Sequence, residues 1–224
     1  MAKRIKLCNR VLPDYTRGEE IMNMVTHIVG GGLGTAVLVL CVIKAALGGN
    51  TLGVVGSAIY GGTMIVLYTI SSVYHGLRPS TGKKVMQVID HCTIYFLICG
   101  TYTPILLSRF VPNYPVIGWG LLGAEWVLAI TAGTLTAIDL KKYNVFSMIC
   151  YIVMGWGIIF FLPKALALLT RGGFLLLLGG GIAYTVGAVL YGIGSKARWF
   201  HSVFHIFVVI GSLLQFLAIL GYAL

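Results

Sequence analysis

The sequence predicts an all-α protein: an integral membrane bundle of seven transmembrane helices, N-terminus cytoplasmic and C-terminus external. Three observations carry this. Long apolar runs alternate with short polar turns, and a helical span needs about 20 predominantly apolar residues. Charged residues make up only 10% of the chain against 58% hydrophobic, whereas soluble domains carry about 25% charged residues. The sixteen Lys and Arg residues are also distributed unevenly among the turns, and that bias sets orientation. The expected organisation is a cytoplasmic segment, residues 1–20, followed by one transmembrane domain, residues 21–224.

The elements follow in order. Ile21–Leu47 forms the first span, with Glu20, Asn23, Thr26 and His27 as a polar stripe along its first turns. Such spacing keeps one face of a helix polar. Gly30, Gly31, Gly32 and Gly34 then permit close helix approach. After the turn Gly48–Asn50, span two covers Thr51–His75, ending in Ser71–Ser72–Val73–Tyr74–His75. Span three, Val85–Ser108, opens with Asp90–His91, and its Pro104 predicts a kink. Span four is Val116–Ile138. Span five is Val145–Leu162, broken by Pro163, and Lys164–Gly173 reads as a short interfacial helix. Span six is Phe174–Gly194, and the last span runs from the Trp199–His205 stretch to Leu224.

With the N-terminus inside, twelve basic residues fall on the cytoplasmic side, including Lys3, Arg4, Lys6, Arg10, Lys83, Lys196 and Arg198. Four, namely Lys44, Arg109, Lys164 and Arg171, fall outside. A six-span reading would put both ends on one side and conflict with that bias. The polar, charged first twenty residues do not read as a cleavable signal peptide. A net charge of +10 raises nucleic acid as a partner, but the basic residues are dispersed and lack interleaved aromatics, which excludes it. Cys8, Cys41, Cys92, Cys99 and Cys150 show no CxxC pairing and read as packing residues. Gly179–Gly181 lacks the strand–turn–helix context of a phosphate loop.

On this topology all five histidines, His27, His75, His91, His201 and His205, share one membrane face, near the cytoplasm. His201 and His205 are four apart, so they lie about 6 Å apart along the axis on one face. That spacing lets one helix offer two imidazoles to one metal ion. With His75 they form a trio suited to zinc, leaving a fourth position for water, which zinc acidifies to near neutrality. Asp90 is placed to accept a hydrogen bond from that water or to act as a base. Ser71, one turn from His75, either stabilises an oxyanion or packs helices. Glu20, Asn23, His27 and His91 are candidates for hydrogen-bonding supports around the ligands. Glu125 falls mid-span in span four, outside this layer.

Glu20–x2–Asn23–x2–Thr26–His27, Ser71–x3–His75, Asp90–His91 with Gly100–Pro104, and His201–x3–His205 together resemble the hemolysin III proteins, within the progestin and adipoQ receptor superfamily. The resemblance covers nearly the whole chain. It implies seven transmembrane helices with a cytoplasmic N-terminus in a cell membrane. It also implies zinc held at His75, His201 and His205, Asp90 contacting the zinc-bound water, and Ser71 beside it. The long N-terminal domain of the animal receptors has no counterpart, so an adiponectin-like hormone is not an expected partner.

Three functions are compatible with this reading. The first is a zinc-dependent intramembrane hydrolase of a lipid amide or ester, with a membrane lipid or fatty-acyl chain as partner. The second is a membrane-homeostasis sensor or regulator with a structural zinc. The third, a pore-forming cytolysin, finds no secretion signal or soluble-to-membrane amphipathic design in the sequence.

Overall fold

A computed structural model describes residues 7–194 and 197–224. Lys3, Arg4, Lys6 and Lys196 from the orientation argument, and the side chain of Cys8, lie outside the described residues. Helix α1 spans Arg17–Leu47. Its start is written in Thr16–x2–Glu19: the Thr16 hydroxyl accepts from the Glu19 N–H at 3.2 Å, and the Glu19 carboxylate accepts from the Thr16 N–H at 2.8 Å. This reciprocal cap satisfies two otherwise orphaned donors. The turn that follows uses Gly49 at φ 66°, a conformation glycine adopts without a Cβ clash. Asn50 then caps α2, Thr51–Gly76, by accepting from the Gly53 N–H. Ser80 caps α3, Thr81–Ile105, in the same way through the Lys83 N–H.

Pro104 sits one residue before the end of α3, and a π-helical turn, Leu106–Phe110, follows it. Helix α4, Pro115–Ile138, begins with proline, whose missing N–H costs nothing at a first helical position. Next come α5, Asn144–Gly155, and a 3-10 segment, Gly157–Phe161. Helix α6, Leu162–Gly194, and α7, Phe200–Ala218, complete the bundle, with a π-helical turn, Ile219–Ala223, at the end. Among the described residues there is no strand.

Among the described residues, six stretches are long and apolar enough to cross a membrane. The fifth, Asn144–Gly194, holds 51 residues; as one straight helix it would measure about 75 Å, more than twice a ~30 Å hydrocarbon core. It is not straight. The 3-10 segment interrupts it, and Thr170 departs from helical geometry altogether at φ 57°, ψ 170°, a costly conformation for a β-branched residue. The stretch expected as an interfacial helix, Lys164–Gly173, falls across that break. Pro163, expected to end span five, is the second residue of α6.

Packing is close where side chains are absent. A Cβ on Gly61 of α2 would lie 2.5 Å from Leu38 of α1, and one on Gly30 would lie 2.5 Å from the Tyr68 ring. Tyr68 is thereby seated deep enough to meet Ser212 of α7, oxygen to oxygen at 2.6 Å, while Tyr184 of α6 reaches the same hydroxyl at 2.7 Å. One serine therefore ties three helices. Tyr102 of α3 donates to the Gly155 carbonyl and accepts from the Ile158 N–H, both at 3.0 Å. That satisfies backbone groups exposed where α5 gives way to the 3-10 segment. Apolar residues such as Val25, Ile28 and Val29 face outward on α1, as lipid contact requires.

Candidate metal centre

The centre is built where the starts of α1 and α7 meet the end of α2. Helix α7 begins at Trp199 in the left-handed region, φ 67°, and carries no side-chain cap of its own. Glu19 of α1 takes that role, accepting from the Trp199 N–H at 2.7 Å. Arg198 adds an ion pair to Glu19 at 3.4 Å and another to Asp14 at 3.5 Å. The start of α7 is thus fixed against the start of α1. His201 and His205, one turn apart, are carried inward together.

The two ring Nε2 atoms approach to 3.1 Å. His75, at the end of α2, completes a trio whose ligand nitrogens all lie within 4.8 Å of one another. A metal at about 2.0–2.1 Å from each nitrogen calls for separations of roughly 3–4 Å, which small side-chain rotations supply. The surroundings select the required tautomers. His75 Nδ1 meets Glu20 Oε2 at 2.6 Å, so it donates, leaving the Nε2 lone pair free. That Nε2 is buried with no partner. His205 Nδ1 faces the Asn23 carbonyl at 3.3 Å and is a donor there, which again leaves Nε2 as the acceptor. Two imidazole lone pairs 3.1 Å apart repel unless a proton or a cation lies between them. The donor set, the orphaned nitrogen and the oriented tautomers all fit a metal such as zinc.

Glu20 does more than orient His75. Its other oxygen meets Lys83 Nζ at 2.6 Å, and that lysine is 3% exposed. Lys83 also donates to the carbonyl of Leu77 at 2.9 Å and lies over the Tyr74 ring. The carboxylate therefore bridges an ammonium and an imidazole. Asn23 is fully buried and its Nδ2 sits 3.4 Å from His75 Nδ1. His27 stacks on His205 with ring centroids 3.7 Å apart, and neither of its buried ring nitrogens has a hydrogen-bond partner. Its contact with the centre is through its ring face.

Asp90 and Ser71 stand beside the trio, on the wall of a cavity they share with His201 and His205. The Ser71 hydroxyl neighbours the Asp90 carboxylate. His91 is set further off: its Nε2 meets the Tyr191 hydroxyl at 3.0 Å, its Nδ1 the Gln87 carbonyl at 2.8 Å, and its Nδ1 lies 3.9 Å from Asp90. Glu125 is buried away from this group, beside Gly157. Sequence reasoning missed Lys83 as a partner, Tyr191, and Tyr15. Tyr15 stacks on His201 at 4.9 Å and closes the centre from the N-terminal side. Burial pushes its phenol above the ordinary range, so it stays neutral. None of the three carries a signal in the sequence; Lys83 stands out only once α3 is seen to begin at Thr81, which puts a cation in a first turn where the dipole disfavours it.

From this polar end the cavity runs between α3, α5, α6 and α7 toward Phe174, Leu177 and Gln215. It encloses about 1570 Å³ of non-atom space, open solvent at its mouth included. Its wall is mostly apolar.

These features define a multi-pass helical membrane protein with a buried three-histidine cluster at one end of an apolar cavity. The family profile described as "Haemolysin-III related" matches residues 15–216, and the chain belongs to that family. It is 37% identical over 206 residues to "Hemolysin-3" of Bacillus cereus, covering 92% of each chain. It is equally identical over 208 residues to "Hemolysin-3 homolog" of Bacillus subtilis (strain 168), covering 93% of this chain and 96% of the relative. A more distant similarity, 26% over 175 residues, extends to the human "Monocyte to macrophage differentiation factor", covering 73% of this chain and 68% of that one. No solved structure matches significantly.

Proposed function

We propose that this protein is a zinc-dependent intramembrane hydrolase of an acyl lipid, an amide or an ester, working near the cytoplasmic face of the cell membrane. The observation that carries the reading is the position of the three converging ring nitrogens, beside Asp90 and Ser71, at the polar end of an apolar cavity. His75, His201 and His205 would hold the zinc. Zinc bound there supplies Lewis acidity, polarising an acyl carbonyl and acidifying a water.

The chain's own residues supply the rest. Glu20 and the Asn23 carbonyl keep Nδ1 of His75 and of His205 protonated, so both rings present Nε2 inward. The cavity takes the acyl chain and leaves its carbonyl among the polar groups. Asp90 Oδ accepts a proton from the attacking water and returns it to the leaving amine or alkoxide. Ser71 turns toward the carbonyl oxygen and donates to it as charge builds there. Tyr15 and the apolar wall exclude bulk water, which strengthens each of these interactions.

Seven crossings support this arrangement. Helix α5 passes beside His91, whose carbonyl accepts from the Tyr151 hydroxyl. The chain reaches the opposite end by Lys164, which lies over the Tyr114 ring. Gly173 packs on Tyr222 at that far end, and Gly194 packs on Phe200 beside the histidines. On this proposal the 51-residue stretch travels out and back, a path supported by the breaks at Gly157–Phe161 and Thr170.

A second reading, a lipid sensor with a structural metal, is favoured by the way the histidine cluster ties α1, α2 and α7 together. Turnover decides. Purified protein assayed on a panel of N-acyl and O-acyl lipids is expected to release fatty acid, and a zinc chelator is expected to stop it. Asp90→Asn is expected to retain metal and lose at least about 100-fold in turnover, the usual scale of acid–base catalysis. Wild type and Asp90→Asn equally inactive on every lipid, with a chelator lowering only the melting temperature, would favour the sensor.

A further inference from the structure

The far end of the cavity carries a polar group that the reading above does not use. Gln215 lies ten residues beyond His205 on α7, one side chain among the apolar residues Phe174, Leu177 and Leu178 on the wall. It is 7% exposed. Its amide orientation is set by chemistry: Nε2 donates to the Leu177 carbonyl at 3.1 Å, which only an NH2 group can do. That leaves Oε1 as an acceptor, buried and with no partner. The sequence also makes room for it. A Cβ on Gly180 of α6 would stand 2.9 Å from both Cγ and Nε2 of Gln215, so glycine there is what lets the amide lie against α6.

An amide oxygen held without a donor in an apolar wall is costly, and such groups are paired in the working state. The other hydroxyls of the deep wall are already engaged. Tyr102 is bonded to Gly155 and Ile158, Tyr184 to Ser212, and Thr185 to Gly181 and Trp156. Among the described lining residues, only His27 and Gln215 retain a buried polar atom without a partner. Ten residues of helix place Gln215 about 15 Å from His205, half of a ~30 Å hydrocarbon core, and so about one leaflet's acyl chain in depth.

Resting on the acyl-lipid reading, we infer that Gln215 is a specificity determinant for an acyl chain bearing a hydroxyl in its distal half. With the carbonyl among the histidines, a hydroxyl well along the chain donates to Gln215 Oε1. An unsubstituted chain leaves that oxygen unpaired.

The test is displacement of a fluorescent fatty acid from the purified full-length protein by octadecanoic, 12-hydroxyoctadecanoic or 2-hydroxyoctadecanoic acid. In wild type the 12-hydroxy acid is expected to bind roughly 3- to 10-fold tighter than octadecanoic acid, the scale of one hydrogen bond. In Gln215→Leu that ratio is expected to fall to about one, while any effect of the 2-hydroxyl, which stays at the polar end, persists. Gly180→Ala, which displaces the amide, is expected to reduce the ratio too, and it decides the matter if Gln215→Leu does not fold. Equal binding of the 12-hydroxy and plain acids by wild type, as when a water satisfies Oε1, overturns the inference while leaving the acyl-lipid reading intact. A preference that survives in folded Gln215→Leu, or in Gly180→Ala where that variant decides, overturns it as well. If wild type binds none of the three acids, the acyl-lipid reading fails and this inference fails with it.

Discussion

At the scale of single residues, Glu20 is the support on which the histidine cluster depends. Its two oxygens divide between His75 Nδ1 and Lys83 Nζ, each at 2.6 Å, so it fixes a ligand's tautomer and neutralises a buried cation. Glu20→Gln keeps the shape and removes the charge. Chelator competition is expected to show metal affinity lowered by about 10- to 100-fold, the usual effect of losing a carboxylate behind a ligating histidine. Unchanged affinity would mean that Glu20 serves Lys83 alone. Glu20 was legible in the sequence because it shares a helical stripe with Asn23 and His27. Lys83 was not, since it reads as one more basic residue of a cytoplasmic loop. Its burial follows from the turn Leu77–Ser80, which folds the start of α3 back over the end of α2 and brings the Leu77 carbonyl within reach of the ammonium. The sequence pattern does not encode that local path. Tyr15 is similar: nothing in its neighbourhood signals that the chain before α1 turns across His201.

At the scale of elements, the α1–α2 contact shows why particular glycines matter. Gly61 and Gly62 are adjacent, yet a Cβ on Gly61 would strike Leu38 at 2.5 Å while one on Gly62 meets nothing within 4 Å. Gly61→Ala is therefore expected to destabilise the bundle by about 1–3 kcal/mol, the cost of overpacking a close contact. Gly62→Ala is expected to be neutral or stabilising by about 0.5–1 kcal/mol, since alanine is the better helix former. Melting temperatures in detergent compare the two directly, and equal shifts would contradict the packing described. The helices themselves were readable from apolar run length, but the first and third start four residues earlier than those runs, just after the caps Thr16 and Ser80, because polar first turns carry no apolar signal. The interruptions between α5 and α6 were harder to place. Pro163 was a visible breaker, but proline is tolerated in a helix's first turn, and the departure from helical geometry comes at Thr170, a residue with no local breaking tendency.

For the whole molecule, the basic-residue bias carries the proposal of seven crossings with a cytoplasmic N-terminus and an external C-terminus. Reporter fusions before Met1 and after Leu224 are expected to report opposite compartments. Finding both ends on one side would reduce the count to an even number and move the histidine layer's relation to the membrane. The convergence of histidines was expected from the seven-span reading, and the structure brings His75, His201 and His205 together. The cavity was not legible, because it is the space left between α3, α5, α6 and α7, and no residue pattern states how far apart helices stand. The account rests on the three ring nitrogens forming one metal centre, and metal analysis of the purified protein tests that most directly. About one zinc per chain is expected in wild type, with most of it lost in the His201→Ala, His205→Ala double variant, because a single imidazole does not hold the ion. Full zinc occupancy in a folded double variant, or none in wild type purified with zinc supplied, would contradict the account.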